Sequence, residues 1–250
     1  MKPEYPLGLS DAAATAPETA AHGVPPPRGR VRWVICGLLF AAVVLSYIDR
    51  LVLGVLKPQL SALYGWTNSG YGDITGYFQV AYGLGFLLFG WLIDRIGPRA
   101  GYLLAMGAWT VGHFAQTLVT STTGFALARI PLAFGEAGTF PSALAAASQW
   151  FPKKERALAI GIFNAGANVG AVVTPLLIGF LIADLVLDWR WAFLITGSFN
   201  LVWLTAWWRL YHPPHAHPRI TVEERAWIEA EPVETSGRAG FLTVMRHRES

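Results

Sequence analysis

The 250 residues are 53% hydrophobic and only 14% charged, with 11 tryptophans and a mean hydropathy of +0.39. A soluble domain of ordinary composition is nearer a quarter charged, so a water-soluble globule is excluded. The formal net charge of +3 reflects where basic residues sit between apolar runs, and it calls for no nucleic-acid partner.

Residues 1–32 are rich in Ala, Pro and Gly and lack apolar periodicity, which predicts a disordered cytoplasmic tail. Its positive charges and the first apolar run come too late for a signal peptide. Six apolar stretches follow, at 33–56, 74–93, 101–119, 125–148, 158–182 and 191–208. Each approaches or exceeds the ~20 residues that cross a ~30 Å hydrocarbon core as helix. Lipid offers the backbone no hydrogen bonds, so helix is the expected state of each. The fold class is therefore an all-α membrane protein, with a six-helix transmembrane bundle over 33–210. Residues 211–250 are polar and mixed in charge, as suits a cytoplasmic segment. The lone Cys36 lies inside the first span and has no intrachain disulfide partner.

Orientation follows from the basic residues. Lys2, Arg28, Arg30 and Arg32 precede the first span; Arg95 and Arg99 lie in the second loop; Lys153, Lys154 and Arg156 lie in the fourth. The odd-numbered loops hold only Lys57 and Arg190. This asymmetry places the N-terminus and the even-numbered loops in the cytoplasm.

Charges that stay in the membrane are the informative residues. "LARIPLAFGEAGTFPSALAAA" carries Arg129 and Glu136 seven positions apart, hence on one helix face. "LSYIDRLVLG" carries Asp49 and Arg50 in the first span. A charge at the bilayer centre costs ~2.5–3.5 kcal/mol on insertion scales, and pairing Asp49 or Arg50 with Arg129 or Glu136 across helices would lower that cost. One reading is a structural ion-pair network. The sharper one is a polar cavity that binds a charged solute and carries protons. Tyr47, Gln79, Tyr82, Asn164 and Asn168 are candidate lining residues, with interhelical hydrogen bonding as the alternative role for the amides. His212, His215 and His217 lie among prolines without acidic or cysteine companions, which predicts a solvated loop rather than a metal site. No catalytic triad, phosphate-binding loop or CxxC occurs, so neither an enzyme nor a cofactor is expected.

The second loop, "GWLIDRIGPRAG", resembles the signature of the major facilitator superfamily, with Gly90, Leu92, Asp94, Arg95, Gly97 and Arg99 in register. "YIDR", "GEAGTFPSA", "QWFPKKERALAIGIFNAGANVGAVVTPLL", "DWRWAF" and "HPRITVEERAWI" are similar to the anion:cation symporter family within it, particularly the bacterial hexuronate transporters. That resemblance implies proton-coupled symport of a sugar acid by alternating access, in a bacterial inner membrane, with the proton as coupling ion. It implies that Arg50 holds the substrate carboxylate, that Asp49 and Glu136 take up protons, and that Arg129 partners these acids. Tyr47, Tyr82, Asn164 and Asn168 match positions lining the sugar pocket. Asp94 and Arg95, with Gly90, Gly97 and Arg99, match a cytoplasmic gate.

Such transporters have twelve spans in two halves, each half built as a three-plus-three repeat. The chain is similar to the N-terminal half and the start of the central loop. A second six-helix half or a homodimer is the expected partner, beside the lipid bilayer and a small organic anion. The alternatives are a carrier of another organic or inorganic anion, and an inactive half-transporter fragment serving only as a membrane partner.

Overall fold

The computed structural model describes residues 29–230, which are helical almost throughout and contain no strand. The helices are α1 (Val31–Tyr64), α2 (Asn68–Ala115), α3 (Thr122–Ala137), α4 (Thr139–Trp150), α5 (Lys153–Gly179), α6 (Trp189–Leu210) and α7 (Val222–Glu229). By length and hydropathy alone, three segments qualify as membrane spans: Val31–Tyr64, Asn68–Leu118 and Lys153–Asp184. The six sequence-predicted spans are all present as helix, but they are divided differently.

The second and third spans form the two arms of α2. Between them Gly97 leaves helical geometry, at φ 77° and ψ 166°. Pro98 pushes the residue before it out of the α region, and only glycine takes a positive φ without steric cost. The fourth span is broken at Gly138 into α3 and α4. Pro141 has no N–H to return to the Ala137 carbonyl, so the helix restarts around a proline placed in its first turn. Each piece is too short to qualify as a span, while the tryptophans of α6 depress its hydropathy.

Small residues let the helices approach. Inside lipid, helices associate through van der Waals packing and hydrogen bonds rather than hydrophobic burial, so glycine at a crossing is favourable. A Cβ on Gly135 of α3 would collide with the Ala105 carbonyl oxygen and the Trp109 nitrogen of α2. Along α5, a Cβ on Gly166 would lie 2.8 Å from the Phe40 oxygen, and one on Gly170 2.6 Å from the Val44 oxygen, both on α1. Gly90, in contrast, faces open space. Gly135→Ala is therefore expected to destabilise the bundle by about 1–3 kcal/mol, because backbone must move. Gly90→Ala leaves stability unchanged. Thermal unfolding of both variants in detergent checks the contrast.

The loops sort onto two ends. At one end Lys57 Nζ lies 4.5 Å from the Tyr71 ring centroid, and Arg190 Nε donates to the Thr117 carbonyl at 3.1 Å. At the other end Arg99 donates to the Trp208 carbonyl at 2.9 Å, and Tyr211 donates to Gln149 at 3.0 Å. That second end also holds a buried clasp. Arg32 Nε donates to Glu155 Oε2 at 2.8 Å, and its Nη1 reaches Glu224 Oε1 at 3.1 Å. Glu224 additionally accepts from the backbone N–H groups of Val31 and Arg32, two of the orphan donors that open α1. Glu224→Gln is expected to cost about 2 kcal/mol, since a buried charge-assisted network loses its charge. Faster proteolysis between α6 and α7 would report the released segment.

The clasp moves a domain boundary. α1 starts at Val31, so Arg32, which is 2% exposed, belongs to the bundle rather than to the tail. The rest of the predicted tail, at 1–28, and residues 231–250 lie outside the described residues. The histidine segment folds into a short turn at Pro214–Ala216. His217 bonds the Leu210 carbonyl through Nε2 and accepts from the Arg219 N–H through Nδ1. Burial holds its pKa below the ordinary histidine value. The turn is thus more structured than a solvated loop.

Candidate substrate and proton site

Arg50 and Glu136 meet across α1 and α3. Arg50 Nε and Nη2 both approach Glu136 Oε1, at 3.0 and 2.9 Å. Ser46, one turn before Arg50, donates to the same oxygen. The partners differ in access: the Glu136 side chain is 1% exposed, whereas that of Arg50 is 31% exposed. A ring cluster surrounds the guanidinium, with Tyr82, Phe78 and Tyr47 centroids at 5.0, 5.5 and 5.6 Å. The planar group is thereby held by aromatic faces and one carboxylate oxygen, with an edge left exposed. Glu136 Oε2 is buried and, among the described residues, has no hydrogen-bond partner. This is a paired cation that can change partners: an incoming carboxylate could take the fork that Glu136 now occupies.

Asp49 does not join that pair. Adjacent helix positions point about 100° apart, so with Arg50 turned to α3, Asp49 turns to α2 and α6. Its Oδ2 accepts from Trp109 Nε1 at 2.9 Å and from Asn200 Nδ2 at 2.5 Å. His113 Nε2 lies 3.2 Å from its Oδ1 and 2.8 Å from Thr196 Oγ1. All five residues are buried.

Arg129 departs from expectation. It makes no ion pair with Asp49 or Glu136 and no hydrogen bond among the described residues; its buried Nε is unpartnered. Its guanidinium instead lies 4.6 Å from the centroid of Phe78, the ring that Arg50 also approaches. Two helical turns place Arg129 and Glu136 about 10 Å apart along α3, too far for direct pairing. The expected four-residue meeting is therefore a two-residue pair, a separate Asp49 cluster, and a buried arginine over the Phe78 ring that acts on Glu136 without direct contact.

Asn164 and Asn168 are exposed. The face of α5 that packs on α1 is set by Gly166 and Gly170, and each asparagine sits two residues, about 200°, from one of them. Gln79 is exposed as well. At the signature loop, Asp94 and Arg95 are exposed, with Arg95 stacked 3.9 Å from the Trp91 ring centroid. His113, Thr196 and Asn200 escaped the sequence reading. Their signal was present: a lone histidine and a lone asparagine within apolar runs.

A six-span helical bundle with a buried ion pair and a half-exposed guanidinium has the architecture of half a membrane carrier. The family model described as Major Facilitator Superfamily matches residues 39–249, and the chain belongs to that superfamily. It is 32% identical over 198 residues to a galacturonate transporter of Dickeya chrysanthemi, covering 79% of this chain and 57% of that protein. It is 31% identical over 224 residues to a hexuronate transporter of Escherichia coli (strain K12), covering 88% and 51% respectively. A D-galactonate transporter of Escherichia coli O6:H1 is 32% identical over 201 residues, covering 80% and 46%. The chain thus spans about half the length of the curated relatives it matches. Among solved structures, a bacterial homolog to the human lysosomal transporter Spinster, inward-facing and unoccupied, matches with a TM-score of 0.67. Its identity is 23%, over 90% of this chain and 49% of that one. The proton:xylose symporter XylE matches with a TM-score of 0.60 at 14% identity, over 74% of this chain and 46% of that one. The family and these relatives are transporters, not enzymes.

Proposed function

We propose that the chain forms one six-helix half of a proton-coupled symporter for a sugar acid such as a hexuronate, working by alternating access. The observation that carries this reading is the Arg50–Glu136 pair, with its guanidinium partly exposed and ringed by Tyr47, Phe78 and Tyr82. Protonating Glu136 removes the internal partner, and the freed fork takes the substrate carboxylate through two parallel charge-assisted hydrogen bonds. Arg129, buried and unpaired, adds positive potential beside the same ring. Substrate and proton together neutralise the site and let the half rock, since a ligand shifts states only through differential affinity.

The partner is a second six-helix half. Gly72, Gly76, Gly83 and Gly90 face open space from one side of α2, flanked by exposed Tyr77, Val80, Leu84, Leu87 and Trp91. This smooth apolar face suits close packing by another helix. A homodimer is the other arrangement it could serve. The end holding the Arg32–Glu155–Glu224 clasp and the signature loop is the cytoplasmic one, in a bacterial inner membrane, with Asp94 and Arg95 gating against the partner half.

Uptake of labelled galacturonate or glucuronate into proteoliposomes, with and without an inward proton gradient, tests the reading. Gradient-driven uptake supports it. Uptake restricted to another anion favours the second reading, to which a probable sulfoacetate transporter of Cupriavidus necator, 29% identical, lends weight. No uptake in the presence of a second half favours an inactive membrane partner.

A further inference from the structure

A third side chain belongs to the Arg50–Glu136 pair. Ser46 lies four residues before Arg50 on α1, so the two share a helix face. It is buried, and its hydroxyl donates to Glu136 Oε1, the oxygen that Arg50 Nε meets at 3.0 Å. Hydroxyls inside a helix usually return to their own backbone. Thr110, Thr174, Thr196 and Ser198 do so here, each donating to the carbonyl four residues earlier. Ser46 instead donates across to α3. A carboxylate oxygen offers two lone pairs, and Ser46 and Arg50 Nε take both on Oε1. Glu136 Oε2 has no hydrogen-bond partner among the described residues, so it is the oxygen left to receive a proton. The two donors differ in reach. The Arg50 guanidinium ends a long side chain that is 31% exposed, so it can turn from Glu136 to an incoming anion. Ser46 Oγ stands one bond from Cβ on a buried helix face and cannot follow.

We infer that Ser46 is a positioning residue for proton uptake at Glu136: its hydroxyl keeps hold of Oε1 and tunes the acid while Arg50 passes to the substrate. The proton comes from water and forms one O–H bond, at Oε2. The Ser46 hydrogen stays on Oγ, and the contact that breaks is the ion pair with Arg50. A donor to a carboxylate favours its charged form, so the serine opposes protonation and makes it reversible. The charges acting on Glu136 are Arg50 from α1 and Arg129 from its own helix. From α2, Gly85, Phe89, Ala105 and Trp109 lie against this stretch of α3, and none of them titrates. Tyr82 of α2 acts on Arg50. Arginines keep their charge at any working pH, so pH acts on the pair through Glu136. This inference deepens the proton-coupled reading and rests on it.

Infrared difference spectroscopy of the full chain in liposomes, with Glu136→Gln assigning the Glu136 bands, tests it without transport. As pH falls, the carboxylate bands should give way to an acid C=O band at the position of a hydrogen-bonded carbonyl. In Ser46→Ala that band should rise to the frequency of an unbonded acid, and the proton affinity of Glu136 should increase about tenfold. Ser46→Thr, which keeps the hydroxyl, should return both toward wild type. A side chain that only fills space would move neither. Should Ser46→Ala not fold, Ser46→Cys, close in size and a weaker donor, takes its place, with both shifts in the same direction. A band or a midpoint that keeps its wild-type place without the hydroxyl overturns the inference, as does Ser46→Thr behaving like Ser46→Ala. Galacturonate uptake that ignores the proton gradient, with both shifts present, would sink the symport reading alone; gradient-driven uptake with neither shift would sink this inference alone.

Discussion

Replacing Arg50 with lysine is expected to lower sugar-acid uptake about a thousandfold, equivalent to about 4 kcal/mol of lost carboxylate binding. Charge is conserved in this variant, so the loss isolates geometry. Arginine delivers two N–H groups in one plane, and here Nε and Nη2 already converge on Glu136 Oε1 at 3.0 and 2.9 Å. A lysine ammonium is a compact, strongly hydrated point charge that cannot form a fork against a carboxylate. It would also weaken the cation–π contacts with Tyr82 and Phe78 that help hold the guanidinium in place. Because the arginine side chain is 31% exposed, its removal disturbs the bundle less than removal of a fully buried charge would. Initial rates of labelled galacturonate uptake in vesicles from cells making the protein, normalised to membrane abundance, check the result. Wild-type rates in Arg50→Lys would show that the anion is held elsewhere.

The sequence carried the spans more reliably than their joints. Apolar run length is a property of local composition, and all six runs became helix. Gly97 was legible as a signature glycine, yet the backbone reason for it, a positive φ before Pro98, appears only with the chain in place. The break in the fourth span was not read from its apolar run; it falls at Gly138, three residues before Pro141. Among site residues, helical phase explains which neighbours each one meets. It put Tyr47 about one turn before Arg50 and against its guanidinium. The same 100° step that brought Arg50 to Glu136 carried Asp49 to Trp109 and Asn200, a destination no single helix encodes. Asn164 and Asn168 shared a face as expected, but which face of α5 turns inward was decided by Gly166 and Gly170 meeting α1. Arg32 looked like a tail residue because its partners, Glu155 and Glu224, lie more than a hundred positions away.

Glu136→Gln should separate substrate binding from proton coupling. In the folded half the Glu136 carboxylate competes with any incoming anion for the same two guanidinium N–H groups. Glutamine keeps the shape and one acceptor oxygen but removes the charge, which mimics the protonated acid. Arg50 is then permanently available, so sugar-acid binding should tighten and lose its dependence on pH. Accumulation driven by a proton gradient should fall to background, because the site no longer takes up a proton with the substrate. Exchange of labelled for unlabelled substrate at equal pH on both sides should persist, since rocking of the loaded site needs only neutralisation. The fold should tolerate the change: Ser46 can still donate to the amide oxygen, and no buried anion is left without a partner. Two measurements decide it, pH-dependent binding by calorimetry and counterflow in proteoliposomes. Gradient-driven accumulation at the wild-type level in Glu136→Gln would move the coupling proton off this residue altogether. Loss of counterflow together with accumulation would mean that the carboxylate is needed for the motion itself, and that its pairing with Arg50 is more than a competitor for the anion.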